Sequence, residues 1–319
     1  MSDSLRLFAL SASKELGINI ARSLNQELSE HEEREFEHGE HKVRPLENVR
    51  GTDVYVVQSL YGDREQSAND KLVRLLLFIG AFRDAGARRV TAVTPYLCYS
   101  RKDRQTQARD PVNTRNVAAL FEAMRVHSVV TVDVHNLAAF QNAFRCKTEH
   151  LDTRKIFVDA INESLGDSKI VVVSPDLGGI KRANAFREAL CRRRNDKVTT
   201  AFMDKKRSAG VVSGELTVVG NVEGATVLIV DDQIVAGTTI ARAAKACHEQ
   251  GAREITALAT HGLFTSAANE RLEMAPLARI LITNTAIPFQ LDQPSVVERL
   301  RVIDISELLA EAIRRLHLG

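Results

Sequence analysis

Val227-Leu-Ile-Val-Asp-Asp-Gln-Ile-Val-Ala-Gly-Thr-Thr-Ile240 reads as a strand, an acidic tip, a small-residue loop and the start of a helix. The four apolar residues 227–230 are a run of the kind that fills the interior of a parallel sheet. The alanine-rich segment from Ile240 onward is helical and stops near Gly251. Between them Val235, Ala236, Gly237, Thr238 and Thr239 make a loop at a helix start. Backbone N–H groups there can close on a phosphate, and the helix dipole favours an anion. Asp231 and Asp232, at the strand end, can hold sugar hydroxyls or a magnesium-bound ligand. Together they point to a phosphorylated sugar. The same residues also satisfy ordinary turn and N-cap chemistry, so the order of the whole segment carries more weight than Gly-Thr-Thr alone.

The same grammar recurs in both directions. Before this stretch, short apolar strands are expected at residues 5–10, 54–58, 90–93, 129–132, 170–173, 198–202 and 218–222, and after it at 255–260 and 280–283. Helices are expected at 14–29, 69–85, 114–124, 153–165, 180–193 and 305–316, with Asn113 capping the third and Asp304 or Ser306 the last. Strand–helix alternation predicts an α/β fold with parallel sheets. At 319 residues the chain is comfortable as two domains, 1–150 and 151–303. The helix at 304–319 is expected to pack back on the first. The densely charged run 31–42, with Phe36 its one aromatic and Gly39 marking a turn, reads as a solvated surface.

Composition narrows the function classes. A net charge of +2 gives no basic field for nucleic acid or membrane. Cys98, Cys146, Cys191 and Cys247 are scattered without a C-x-x-C pair, as expected of free thiols in a reducing cytoplasm. The longest apolar run, 75–82, is too short to span a bilayer, and no signal peptide precedes Leu5.

Four further segments carry chemistry. Ser174-Pro-Asp-Leu-Gly-Gly179 follows a buried strand, and its glycines permit close backbone approach while Asp176 is placed for a metal or a sugar. It also makes a plain tight turn. Asp133-Val-His135 puts an oxygen and a nitrogen donor on one face of a strand end, although magnesium prefers oxygen and a lone histidine is commonly structural. Lys205-Lys-Arg207 is either a solvated basic turn or a loop that neutralises charge during phosphoryl transfer. The polar stretch 96–111, with Arg101, Lys102 and Arg104, reads as a projecting functional loop.

Taken in order, Phe36-Glu-His-Gly-Glu40, Arg101-Lys-Asp-Arg104, Asp133-Val-His135, Ser174-Pro-Asp-Leu-Gly-Gly179, Asp204-Lys-Lys-Arg207 and the Asp231 loop closely resemble the ribose-phosphate diphosphokinases (phosphoribosyl diphosphate synthetases) over nearly the whole chain. The resemblance implies two phosphoribosyltransferase-like domains, each a mostly parallel sheet flanked by helices. It implies transfer of the diphosphoryl group of Mg-ATP to the anomeric hydroxyl of ribose 5-phosphate, with AMP leaving. On the matching positions Lys205 and Arg207 would be catalytic, with Arg207 also holding ribose 5-phosphate. Asp231 and Asp232 would hold the ribose, and Val235 to Thr239 its phosphate. His135 and Asp176 would organise Mg2+, and Phe36, His38, Gly39, Glu40, Arg101 and Lys102 would bind ATP. In this family the Phe36 segment serves a neighbouring subunit, which implies a homo-oligomer, a dimer or a hexamer built on dimers.

Several positions depart from the family pattern. Asp or Asn is usual at His38, Gln at Lys102, an acid at Val235, a hydroxyl residue at Ala236 and glycine at Thr238. Prolines frequent after Ser208 are missing. Such differences mark a divergent, bacterial-type subgroup. A phosphoribosyltransferase would share the Asp231 loop but explain neither the first domain nor Lys205. A non-catalytic regulatory homologue would be expected to have lost the basic loop.

Overall fold

The computed structural model describes residues 4–166, 168–208 and 211–319, with the side chains of 205–208 and 211–216 outside the description. The expected turn at Asp167 and the glycine at Gly210 lie outside the described residues. The chain divides into two compact units, Met1–Asp152 with Asp304–Gly319, and Thr153–Ile303.

In the first unit, β1 (Leu5–Ala9), β4 (Asp53–Val57), β5 (Arg89–Thr94), β6 (Ser128–Val132) and β7 (Lys147–Leu151) form one sheet in that order. Every pairing in it is parallel. Helices α1 (Lys14–Ser23), α2 (Ala68–Asp84), α3 (Asn113–Ala123) and α4 (Leu137–Ala143) connect the strands. Asn113 is the first helical residue of α3 rather than its cap. The first turn is fixed by Thr114, whose hydroxyl donates to the carbonyls of Tyr99 and Lys102. Helix α2 begins one residue before the expected start, because Ser67 and Asp70 cap each other's backbone in a capping box.

The charged run 31–42 is an antiparallel hairpin of β2 (His31–Glu35) and β3 (His41–Pro45). Its alternation is hidden because nearly every side chain is ionisable. Val43 is buried in the hydrophobic core, while Glu33 opposite it is held by Ser11, His31 and His41. Charge patterning masks the period of two that marks a strand.

In the second unit the sheet order is β10-β9-β8-β11-β12-β13-β14. These are β8 (Ile170–Ser174), β9 (Thr199–Ser208), β10 (Val211–Val219), β11 (Thr226–Ile234), β12 (Glu254–Gly262), β13 (Arg279–Thr283) and β14 (Leu300–Ile303). Only β10 runs antiparallel, against β9. The expected strand at 218–222 ends at Val219, since Gly220 turns the chain at φ 129°. Helices α5 (Arg154–Asn162), α6 (Ile180–Arg194), α7 (Thr238–Glu249), α8 (Ala267–Glu273) and α9 (Pro294–Val297) complete the unit.

Strand β11 sits in the middle of this sheet and shows why a continuous apolar run was required. Val227 and Ile229 enter one core with Ile240, Ala243 and Leu272. Leu228 and Val230 enter the other with Phe157, Ile161 and Phe186. Both faces are covered by helices, so both must be apolar. Burying each such side chain is worth about 1.5–3 kcal/mol.

The last helix, α10 (Ser306–Leu318), belongs to the first unit. The N-cap is Ile305 rather than Asp304 or Ser306, and the amide of Ser306, the first helical residue, donates to the Asp304 carboxylate. Arg314 donates to the carbonyl of Ser23 at 3.1 Å. His317 Nδ1 lies 3.0 Å from the buried carboxylate of Asp53, which also receives Arg89 at 2.6 Å. The molecule is therefore α/β, with two mostly parallel sheets flanked by helices. Among the described residues no helix is long and apolar enough to cross a membrane.

Candidate active site

Strand β11 extends past the four apolar residues and carries the acidic pair inside the sheet. Asp231 pairs in register with Ala259, Gln233 with His261 and Ile234 with Gly262. Asp232 is 5% exposed. The Asp231 carboxyl is pushed up to about 8, by burial first and then by the hydrogen-bonded and charged Asp232 beside it, while Arg182 acts in the opposite direction. Two carboxylates this close and this dry cannot both ionise cheaply without a cation or a set of hydroxyl donors.

Gly237 follows the strand with φ 73° and forms the N-cap of α7. An added Cβ there would stand 3.1 Å from Leu272 Cγ, so both the backbone angle and the packing call for glycine. No side chain caps α7, and no acid lies in its first turn. Its first amides therefore have no N-cap side chain to accept them and stand at the positive end of the helix dipole, an arrangement that can receive an anion. Val235, Ala236 and Thr238 are half-buried and Thr239 is exposed. Arg271 donates to the carbonyl of Ala236 at 3.1 Å, which steadies the loop from α8.

The segment 174–179 closes the same end of the sheet, at the carboxyl end of β8. Asp176 accepts the amide of Gly179 at 2.8 Å, and the Ser174 hydroxyl donates to the carbonyl of Asp176 at 2.6 Å. A Cβ on Gly179 would meet Ser174 Oγ at 2.7 Å. Arg182, in the first turn of α6, then reaches Asp231 and Asp232 at 3.5 Å each. Nothing in the sequence reading singled out Arg182. Its signal was present nonetheless: Lys181 and Arg182 put two cations where a helix N-terminus prefers acids.

The basic residues 205–207 were expected in a loop. Their backbone instead continues β9, with Lys205 opposite Leu216 and Arg207 opposite Val212. Strand β9 runs parallel to β8 with Phe202 beside Ser174, so this extension leaves the sheet at the acidic-pair end. The side chains of Lys205 and Arg207 lie outside the described residues.

The first unit gathers a second set. The β5–α3 loop folds around Asp110, which accepts Lys102 Nζ at 2.5 Å, the Thr106 hydroxyl at 2.7 Å and the amides of Thr106 and Gln107. Lys102 and these donors hold the Asp110 carboxyl well below its usual range. Lys102 is thus an internal strut of the loop, while Arg101 beside it is exposed. Asn136 caps α4 and donates to Asp103 at 2.6 Å, tying the Arg101 loop to the Asp133-Val-His135 turn. His135 is exposed, and Asp133 adopts φ 39°, unusual for a residue with a side chain. Phe36, His38, Gly39 and Glu40 form the exposed tip of the β2–β3 hairpin, with the Arg34 guanidinium 5.1 Å from the Phe36 ring.

Among the described residues no group of three or more His, Cys, Asp or Glu could hold a metal ion unaided. Asp176 is an exposed carboxylate with one oxygen fixed by Gly179. That donor suits a hard cation which brings most of its own oxygen ligands, as magnesium on a polyphosphate does.

Residues 5–124 match the family model for the N-terminal domain of ribose phosphate pyrophosphokinase, and residues 192–319 match a phosphoribosyl synthetase-associated domain. A ribose-phosphate pyrophosphokinase of Hyphomonas neptunium is 38% identical, covering 98% of this chain and 96% of its own length. One from Gloeobacter violaceus is 39% identical, covering 99% and 91%. The chain belongs to the ribose-phosphate pyrophosphokinase family. The crystal structure of phosphoribosylpyrophosphate synthetase from Mycobacterium smegmatis superimposes with a TM-score of 0.88 at 33% identity, over 98% of this chain and 99% of that one. The likeness to the ribose-phosphate pyrophosphokinases thus runs through both units.

Proposed function

We propose that this chain is itself a ribose-phosphate diphosphokinase, converting ribose 5-phosphate and ATP to 5-phosphoribosyl 1-diphosphate and AMP. The observation that carries this reading is the pairing of a buried acidic strand tip with an uncapped helix N-terminus in a chain that matches a family member over 96% of that relative's length. The 5-phosphate binds the first amides of α7, supported by Thr238 and Thr239 in the turn where Ala236 lacks a hydroxyl. The ribose hydroxyls donate to Asp231 and Asp232.

That grip leaves the anomeric hydroxyl as the nucleophile. It attacks the β-phosphorus of ATP, its proton passes to water, and the bond from that phosphorus to the bridging oxygen breaks, the oxygen leaving with AMP. Lys205 and Arg207 neutralise the charge that spreads over the transferring group, the main service a protein gives to phosphoryl transfer. Asp176 and, on the resemblance, His135 would hold Mg2+ directly or through water, and the ion would supply positive charge that lowers the repulsion the nucleophile meets.

The nucleotide is bound by Arg101 and the loop that Lys102 braces. The exposed Phe36 tip, with His38, Gly39 and Glu40, serves a neighbouring copy in a homo-oligomer. The cytoplasm is where ATP, ribose 5-phosphate and magnesium are together available. The test is direct: incubate the protein with ribose 5-phosphate, ATP and magnesium and measure AMP. Formation of AMP only when ribose 5-phosphate is present is expected; no AMP with or without inorganic phosphate would sink the reading.

A further inference from the structure

Arg182 stands where a helix least favours it. It occupies the first turn of α6, a turn that contains no acid and has Lys181 beside it. An arginine in that place needs a compensating anion. The structure supplies two, Asp231 Oδ1 and Asp232 Oδ1, each 3.5 Å from the same guanidinium nitrogen, Nη1. The two carboxylates are 17% and 6% exposed, and the arginine 25%. Two equal, longish contacts describe a cation shared between two acids rather than a closed pair with either.

We propose that Arg182 is the positioning residue of the acidic pair, bridging Asp231 and Asp232 so that both carboxylates stay spaced and open to the hydroxyls of a sugar phosphate. The proposal rests on the reading of that pair as the ribose site. Among the described residues, these charged groups and strand neighbours bear on Asp231. On its own strand Asp232 faces it; from α6 Arg182 does; β12 places Ala259 opposite it; and β8 ends nearby at Ser174. Arg182 acts against the burial of Asp231 and the charge of Asp232. Take it away, and the pair holds a proton to higher pH. A protonated Asp231 has lost part of its capacity to accept hydroxyl donors. The bridge also explains how an acidic pair can sit beside a phosphate cradle: half of its charge is already answered before the substrate arrives.

Two measurements on the full chain test this separately from the ribose assignment. In the first, without ligand, the carboxyl 13C signal of Asp231 is titrated, identified by its disappearance in Asp231→Asn. Its midpoint should rise by about one pH unit or more in Arg182→Met and return toward the parent value in Arg182→Lys. Arg182→Gln takes the place of the methionine variant if that chain does not fold. An unmoved midpoint, or a lysine that fails to restore it, overturns the proposal.

In the second, ribose 5-phosphate binding is followed by calorimetry from about pH 6 to about pH 9. The profile of Arg182→Met should be displaced to higher pH, weakening binding about tenfold at a fixed pH below the midpoint for each unit of displacement. Identical profiles in parent and variant overturn it. Failure of the parent itself to bind ribose 5-phosphate strikes the ribose assignment, while the carboxyl titration still decides what Arg182 does.

Discussion

The acidic tip of β11 and the Arg101 loop both carry charges expected to meet phosphorylated ligands, yet they are built in opposite ways. Asp231 and Asp232 are set into the middle of a seven-stranded sheet, the first half-buried and the second buried, with two carboxyl groups side by side. Lys102 lies in an irregular surface loop and is already matched with Asp110, which three further donors also satisfy. The first region holds unresolved electrostatic tension that a ligand can relieve. The second has resolved its own. A site in a sheet can be rigid and unfavourable at once, because the surrounding core holds it; a loop must satisfy itself to have a shape at all.

The sharpest way to widen this contrast is at Lys205. Lys205→Ala should lower turnover by roughly 10²–10³ while changing ribose 5-phosphate affinity little, as expected of a charge needed in the transition state. Equal losses in kcat and in binding would place it with the ground-state contacts instead.

Next is the acidic pair. Above pH 8, where Asp231 is ionised, Asp231→Asn should weaken ribose 5-phosphate binding on the order of 10-fold to 100-fold, since a charge-assisted acceptor becomes a neutral one. Stability should move the other way. Burial and Asp232 raise the folded-state value of Asp231 to about 8, so the folded protein favours the neutral form. Its stabilising contribution is complete below the ordinary aspartate range and is lost as pH rises toward 8. The asparagine variant, always neutral, should therefore melt higher by on the order of 5 °C at mildly alkaline pH and show no advantage in acid. A melting curve with the same offset at every pH would contradict the tension argument.

Gly237→Ala tests the cradle. The positive φ and the 3.1 Å approach to Leu272 should cost roughly 1–2 kcal/mol of stability and weaken ribose 5-phosphate binding, with ATP affinity unchanged. The smallest effect should come from the resolved loop. Lys102→Ala and Asp110→Asn are expected to act alike, speeding amide exchange at Thr106 and Gln107 and shifting the KM for ATP by no more than about threefold. A much larger loss for Lys102→Ala than for Asp110→Asn would mean that the lysine leaves its partner for the nucleotide.

How much of this was legible in the sequence follows the same divide. The buried strands could be read because a sheet covered on both faces demands continuous apolar runs, as 227–230 and 170–173 show. The strand extensions could not. Strand β11 continues through Asp231 to Ile234, and β9 through the basic residues, on backbone pairing that polar side chains do not advertise. The hairpin at 31–45 was hidden for the same reason, since its period of two is written in Glu, Arg, His and Lys. Ser67 and Asp70 form a capping box that spacing alone would have revealed. Among the candidate site residues, Asp231, Asp232 and the Gly237 turn stand out in the local order of the sequence. Arg182 is brought to them from 49 residues away, and only the sheet makes that meeting.

Because α10 belongs to the unit that begins with β1, the stretch Thr153–Ile303 is an insertion within that unit rather than a successor to it. During synthesis the first sheet emerges early but waits for nearly the entire chain before Arg314 can reach Ser23 and His317 can reach Asp53. Until then, the face where α1 and α10 meet is bare on the nascent protein, a surface for chaperones or for wrong partners. The first unit is begun first and finished last.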